Sequence, residues 1–220
     1  MIATALAGAD PLAVLAIGAH PDDIEIGAGA TLARFAHERG VTLTAVVLTG
    51  TPERAAETRA CLCALLAPGV PDVTVHGLPD TRLPAHLDEV KDALAALPAP
   101  TYDLVLAPSP WDAHQDHRLL GELVTQAFRD HLVLHYEIPK WDGDLGSLRA
   151  TTYVPLTAEQ VQHKWRALDS HHASQRGHDW WDPEVFTGLA RLRGMECRAA
   201  YAEAFHCPRQ LLQPAPTLER

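Results

Sequence analysis

The sequence is poor in cysteine, has no apolar run of membrane-spanning length and contains no cluster of basic residues. Spanning a bilayer takes about 20 apolar residues in a row, so we expect no membrane span. The net charge of −10 argues against a nucleic-acid partner, because affinity for phosphate backbones depends mainly on clustered Lys and Arg. The cysteines lack CxxC spacing and are too sparse for a disulfide-stapled scaffold, which predicts reduced, buried thiols at Cys61, Cys63, Cys197 and Cys207.

One targeting signal and one cofactor-binding motif are also incomplete in the sequence. The N-terminal apolar stretch has no basic n-region and is interrupted by Asp10-Pro11, so we expect a cytoplasmic enzyme without a cleaved signal peptide. Residues 27–32 have part of the glycine spacing of a dinucleotide fingerprint, but the motif ends in Leu32 and no acidic residue follows the second predicted strand. An NAD-dependent oxidoreductase is therefore a minor alternative. The small residues here instead predict close packing of the first helix on the sheet.

What is present is the composition of a globular protein rich in histidine. The 220 residues are 47% hydrophobic and 21% charged, which is typical of a folded domain rather than a disordered or fibrous chain. This length favours one domain spanning 1–220. The 13 histidines favour metal chemistry, although only their placement separates ligands from surface residues. The number of subunits stays open, with a homo-oligomer among the alternatives.

Strand-like and helix-like segments alternate along the first two-thirds of the chain. Apolar strands separated by helices predict a mostly parallel, doubly wound (Rossmann-like) α/β sheet with helices on both faces. If the strand order is 3-2-1-4-5, strands 1 and 4 are neighbours. After Pro139 the pattern changes, and residues 140–200 are expected to form a C-terminal cap or edge on the substrate side, beginning with a turn-rich loop at 141–146. The predicted strands are 13–17, 41–48, 73–76, 102–106 and 133–137, and the predicted helices are 31–39, 52–66, 85–97, 116–128, 158–169 and 184–193.

The residues that carry chemistry follow two of these strands. The run Ala19-His20-Pro21-Asp22-Asp23 begins where the first strand ends, and His114-Gln115-Asp116-His117 follows the fourth. Open α/β sheets bind ligands beyond the carboxyl ends of strands where the strand order reverses, which is where strands 1 and 4 would be neighbours. We therefore expect both motifs to meet at one site.

Imidazole nitrogen and carboxylate oxygen suit zinc, and catalytic zinc sites usually use three protein ligands with one open position. His20, Asp23 and His117 fit that count and leave Asp22 as a base. His114 and His117 stand three residues apart, so one can bind metal while the other faces the substrate. Asp116 is expected to orient one of the histidines, and the sequence leaves open which one.

Together with further segments, these motifs resemble the zinc-dependent deacetylases related to N-acetylglucosaminyl-phosphatidylinositol de-N-acetylase, the LmbE-like family. The resemblance extends over nearly the whole chain. The two motifs are specific in combination, whereas each of the other matching segments is weak alone. These are Arg54-Ala55-Ala56-Glu57, Gly77-Leu78-Pro79-Asp80, the stretch from Lys164 to His172-Ala173-Ser174-Gln175, and Tyr201-Ala202-Glu203-Ala204-Phe205.

The resemblance implies that His20, Asp23 and His117 hold Zn²⁺ and that Asp22 is the general base. It also implies that His114 polarises the carbonyl and protonates the leaving amine. Gln115 stands where many family members have Pro, outside the ligand set. Another divalent cation such as Fe²⁺ could replace zinc, because such ligands do not select by affinity alone.

The implied reaction is removal of an N-acetyl group from an N-acetylated amino sugar or a sugar-containing small metabolite. An amidase that removes a larger acyl group is the nearest alternative. A sugar- or metal-binding relative without turnover is another, and the presence of Asp22 and His114 argues against it.

Several other residues are candidates for contacting the substrate. For the charged ones, a solvated helix position or a turn role is the alternative, and for the tryptophans it is core packing. The candidates are Arg54, Asp80, Trp111, His172, Trp180 and Trp181.

Overall fold

The architecture follows from a computed structural model that describes residues 5–6, 10–98, 102–139 and 148–211. The predicted loop at 141–146 and the first part of the predicted cap, 140–147, lie outside the described residues. Each predicted strand and helix is present. In chain order, the elements are β1 Leu12–Gly18, α1 Asp23–Arg39, β2 Val41–Thr49, α2 Pro52–Leu66, β3 Asp72–Leu78, α3 Leu87–Ala95, β4 Leu104–Pro108, α4 Gln115–Ala127, β5 Val133–Tyr136, β6 Thr152–Leu156, α5 Ala158–His171, α6 Pro183–Cys197 and β7 Tyr201–His206.

The strands form one seven-stranded sheet in the order β3-β2-β1-β4-β5-β7-β6. Strands β1 to β5 are parallel in the order 3-2-1-4-5, which confirms the doubly wound α/β fold. Strands β6 and β7 were not predicted from the sequence; β7 pairs antiparallel with both β5 and β6, and the two strands extend the sheet beyond β5. Pro155 within β6 weakened the strand signal, since proline is tolerated mainly in edge strands such as this one.

Helices cover both faces of the sheet. Alternate residues of β1 point to opposite sides: Val14 packs in the core beneath α1, α2, α5 and α6, whereas Ile17 packs in the core beneath α3 and α4. This alternation is the period-two pattern of a strand buried on both faces. None of the described helices is long and apolar enough to cross a bilayer.

Helix α1 packs very closely on the sheet through Gly27. A Cβ atom on Gly27 would lie 2.1 Å from Cδ2 of Tyr136, a buried ring whose hydroxyl donates to the Ile17 carbonyl. Close packing of the first helix was predicted, but α1 begins at Asp23 rather than near Thr31. Its first ten residues are all buried, so they lack the polar face on which helix periodicity depends.

Candidate active site

The two motifs meet at the carboxyl edge of the sheet, because β1 and β4 are adjacent parallel strands. His20 lies in the turn after β1, and Asp22 and Asp23 are the N-cap and first residue of α1. His114 is the N-cap of α4, and His117 lies in its first turn. The structure thus brings together residues almost a hundred positions apart.

Three donor atoms form a compact triangle in this site. Nδ1 of His20 lies 3.0 Å from Nε2 of His117, and Oδ2 of Asp23 lies 3.4 Å and 3.2 Å from these two nitrogens. Tetrahedral zinc with bonds of about 2.0–2.2 Å separates its ligand atoms by roughly 3.3–3.6 Å. The three side chains therefore fit a zinc-sized cation with only small adjustments.

The outer nitrogens of both imidazoles face further carboxylates. Nε2 of His20 is hydrogen-bonded to Oδ2 of Asp116 at 3.2 Å and lies 3.0 Å from Oδ1 of Asp80. Nδ1 of His117 lies 3.1 Å from Oδ1 of Asp112, without hydrogen-bond geometry. Such carboxylates orient metal-binding histidines and fix their tautomers. Asp112 was not predicted as a site residue, although its position just before the second motif was a signal.

The structure shows which histidine Asp116 contacts, which the sequence left open. Its carboxylate is fully buried and faces His20 rather than its sequence neighbour His117. The second oxygen of Asp116 accepts a hydrogen bond from the backbone N–H of Leu83 at 3.2 Å. Asp116 therefore positions His20 and is itself fixed by the backbone.

The surplus of carboxylates favours positive charge at the triangle. Burial lowers the pKa of His20, but Asp23, Asp116 and Asp80 outweigh it, so the pKa lies well above its ordinary value. Burial likewise lowers the pKa of His117, and Asp23 and Asp112 together raise it above its ordinary value. A site that stabilises positive charge on two neighbouring imidazoles also suits a divalent cation.

Asp22 is held in an uncommon backbone conformation. Its φ of 109° is in the positive range that side-chain-bearing residues seldom adopt, and its carboxylate is fully buried. Nη2 of Arg54 lies 3.2 Å from Oδ2 of Asp22 and donates to the Pro21 carbonyl at 2.5 Å. Strain of this kind persists only where the surrounding structure enforces it, and such positions cluster at functional sites.

His114 is the most accessible histidine of the site. It is half-buried, and its ring centre lies 4.7 Å from those of His20 and His117. Its Nδ1 accepts a hydrogen bond from the Asp116 N–H at 3.2 Å, so a neutral ring carries its proton on Nε2. Burial, with smaller contributions from His117 and His20, lowers the pKa of His114. The neutral ring therefore offers its Nε2–H as a hydrogen-bond donor.

The proposed substrate contacts separate into two groups. Arg54 and Asp80 touch the buried site directly, and the hydrogen bond with His20 lowers the pKa of Asp80 to about 2. Gln115 donates to the Thr81 carbonyl at 3.0 Å and so fixes the loop that carries Asp80. Trp111 is 37% exposed beside Asp112 and packs on Arg149.

The other three candidates pack on other residues in the structure. His172 is completely buried and pairs with Glu25, which contradicts the expectation that it touches substrate. It lies beside Glu25 of α1 and Cys61 of α2, at the C-terminal end of α5. Trp181 packs against Trp165 and Phe186, and Trp180 stacks on His178.

Comparisons with known proteins identify the family of the chain. The family model of GlcNAc-PI de-N-acetylase (PIG-L) matches residues 15–128, which include both motifs. The uncharacterized deacetylase YaiS of Escherichia coli K12 is 36% identical over 175 residues, covering 69% of this chain and 83% of YaiS.

Solved structures with a similar fold share less sequence. N,N'-diacetylchitobiose deacetylase from Pyrococcus horikoshii is 22% identical with a TM-score of 0.66, covering 88% of this chain and 82% of its own. GalB of Pseudomonas putida KT2440, a 4-carboxy-2-hydroxymuconate hydratase, is 18% identical with a TM-score of 0.71, covering 94% and 100%. These likenesses describe the fold, which serves more than one reaction. The family match and the identity to YaiS go further: the chain belongs to the GlcNAc-PI de-N-acetylase (PIG-L) family and is an N-deacetylase.

Proposed function

We propose that this deacetylase removes the acetyl group from an N-acetylated amino sugar or a sugar-containing small metabolite, using a divalent cation held by His20, Asp23 and His117. The observation that carries the proposal is the triangle of donor atoms, 3.0–3.4 Å apart, beside a buried and strained Asp22. We propose Zn²⁺ as the resident metal because the donors are imidazole nitrogen and carboxylate oxygen.

The reaction adds water across an amide carbonyl, breaks the C–N bond and releases acetate and a free amine. A divalent cation bound in the triangle would polarise the carbonyl and make water more acidic. Asp22 accepts the proton that the attacking water loses, and Arg54 holds its carboxylate in place. Nε2 of His114 donates a hydrogen bond to the developing oxyanion, and the imidazolium form of His114 then gives a proton to the departing nitrogen and becomes neutral. Asp116 keeps His20 in its ligating orientation.

A sugar suits the groups that surround this centre. Arg54 and Asp80 offer a hydrogen-bond donor and an acceptor for hydroxyl groups, and both are within contact of the buried residues. Trp111 offers an exposed indole on the chain segment just before Asp112. The named activity of the P. horikoshii relative on diacetylchitobiose supports the same substrate class.

We also propose that residues 1–220 form one domain. Both oxygens of Glu203, in β7, accept hydrogen bonds from the Ala30 and Thr31 N–H groups of α1, at 3.1 Å and 2.7 Å. Lys164 of α5 completes the contact with Glu203 at 2.7 Å. These buried contacts support the proposal that the C-terminal segment folds together with α1. That this segment covers the substrate as a cap remains a prediction.

A panel of N-acyl sugars tests the substrate class and the acyl group together. The purified zinc-loaded protein is incubated with N-acetylglucosamine, diacetylchitobiose and the N-butyryl and N-benzoyl analogues of glucosamine, and released amine and acid are measured. We expect release from the N-acetyl compounds at rates well above those of the longer analogues. Preference for the larger acyl groups would establish the amidase alternative, and release from none of the sugars would contradict the proposal.

A further inference from the structure

A second group of metal-ligating side chains lies beneath the active site, where three helices converge. Glu25 comes from α1, Cys61 from α2 and His172 from the C-terminal cap of α5. All three residues have no exposed surface, and one donor atom from each lies within 4.8 Å of the others. The proposed catalytic ligands use none of these side chains.

Both ring nitrogens of His172 approach carboxylates, as those of the active-site histidines do. Its Nε2 lies 3.2 Å from Oε1 of Glu25, which is within the 3.0–3.4 Å range of the catalytic triangle. Its Nδ1 lies 4.0 Å from Oε2 of Glu57, a longer approach than the 3.1 Å between His117 and Asp112. Glu57 is fixed by the N–H and hydroxyl of Ser174, at 2.8 Å and 2.5 Å. A histidine with one nitrogen facing a ligand cluster and the other facing a carboxylate is typical of metal sites.

Two buried polar atoms of this group have no hydrogen-bond partner. They are Oε2 of Glu25 and Nδ1 of His172. Buried polar atoms are almost always satisfied, because leaving one unpaired costs its lost hydration. The Glu25–His172 contact satisfies one atom of each side chain and leaves the other oxygen of Glu25 available.

We propose that Glu25, Cys61 and His172 bind a second divalent cation of the zinc class, with a structural rather than catalytic role. Thiolate, imidazole and carboxylate are all zinc ligands, and the thiolate distinguishes this site from the nitrogen-and-oxygen active site. One carboxylate and one thiolate balance a divalent charge, so the buried site is neutral overall. Because the site is closed to solvent, the cation enters as the helices assemble. It joins α1 to α2 and α5 directly below the turn that carries Asp22.

Replacing zinc with Co²⁺ allows metal binding at this site to be detected separately from metal binding at the active site. The full-length protein is produced with Co²⁺ as the only added transition metal, and its near-ultraviolet absorption is recorded. A thiolate bound to Co²⁺ gives an intense charge-transfer band, which the catalytic ligands cannot produce. We expect this band in the unmodified protein and in the His20→Ala variant. We expect its loss in Cys61→Ser, whereas Cys63→Ser, which changes an exposed cysteine of the same helix, keeps it.

Zinc content gives the second readout. We expect about two equivalents of Zn²⁺ per chain in the unmodified protein and in Cys63→Ser, and about one in Cys61→Ser and in His20→Ala. The absence of the charge-transfer band from the unmodified cobalt protein would overturn the proposal without relying on any variant. A single zinc equivalent that His20→Ala removes and Cys61→Ser retains would also overturn it, while leaving the catalytic metal site supported.

Discussion

Asp116 accepts a hydrogen bond from His20, which lies 96 positions earlier in the chain, rather than from its near neighbour His117. The strand order places the segments that follow β1 and β4 side by side, so a carboxylate in the first turn of α4 orients a histidine in the turn after β1. The proposed metal site therefore needs both segments, and the geometry of each segment depends on the other.

Replacing Asp116 with Asn tests this dependence. The variant loses the negative charge that orients His20, and we expect metal affinity or turnover to fall by about 10–100-fold, the usual effect of losing such a partner. Zinc affinity measured by competition with a chelator, together with kcat/KM, checks it. Asp88→Asn, an exposed carboxylate in the first turn of α3, is the control and should match the unmodified protein. Equal zinc affinity and equal turnover in both variants would argue against a positioning role.

The role of His114 as proton donor predicts a dependence on the leaving group. In His114→Ala, we expect deacetylation of an amino sugar to fall by about 10²–10⁴-fold, because an alkylamine leaves only when protonated. An N-acetyl aryl amide with strongly electron-withdrawing substituents leaves without full protonation, so its hydrolysis should fall much less. Comparing kcat/KM for the two substrates in both proteins measures the difference. A uniform loss on both substrates would assign His114 to another role.

Much of the fold was predictable because strand runs such as β2 are rich in apolar and β-branched residues. Convergence of the two motifs followed from the expected strand order. The start of α1 was not predictable from periodicity, since its first turns are buried all round. The partner of Asp116 and the burial of His172 depend on contacts between distant segments, which local sequence patterns do not encode. Asp112 was missed for the same reason, because its role depends on the position of His117.

Gly27 offers a test of the close contact between α1 and the sheet. A Cβ atom there would meet the buried ring of Tyr136, so Gly27→Ala should lower the free energy of unfolding by about 1–3 kcal/mol, the cost of overpacking. Gly188 lies in α6, and a Cβ atom added to it would meet nothing within 4 Å, so Gly188→Ala should be neutral or stabilising by up to about 1 kcal/mol. Urea unfolding of the unmodified protein and the two variants gives the change in the free energy of unfolding for each substitution. Equal stability of the two variants would contradict the packing account.

Burial of His135 predicts a contribution to the pH dependence of stability. Its Nδ1 hydrogen-bonds the Pro108 carbonyl and its Nε2 hydrogen-bonds Thr125, while burial lowers its pKa from about 6.5 in the unfolded chain to about 4. The folded state thus disfavours protonation of His135. The contribution of neutral His135 to the free energy of unfolding is therefore complete above pH ~6.5 and is lost as the pH falls toward ~4.

Comparing unfolding free energies from pH ~7 to ~4 tests this contribution. His135→Gln should lose less stability across that range than the unmodified protein, because it has no imidazole to protonate on unfolding. His37→Gln, at an exposed position of α1, is the control and should follow the unmodified protein. Parallel pH profiles for all three proteins would show that His135 does not titrate in this way.

The most direct test of the active site separates metal binding from proton transfer by measuring zinc content and amine release on the same samples of Asp22→Asn and His117→Ala. Asp22→Asn should keep the zinc content of the unmodified protein while turnover falls by about 10²-fold or more, because only the base is lost. His117→Ala should lose one zinc equivalent together with activity. Full turnover in Asp22→Asn, or unchanged zinc content in His117→Ala, would contradict the account.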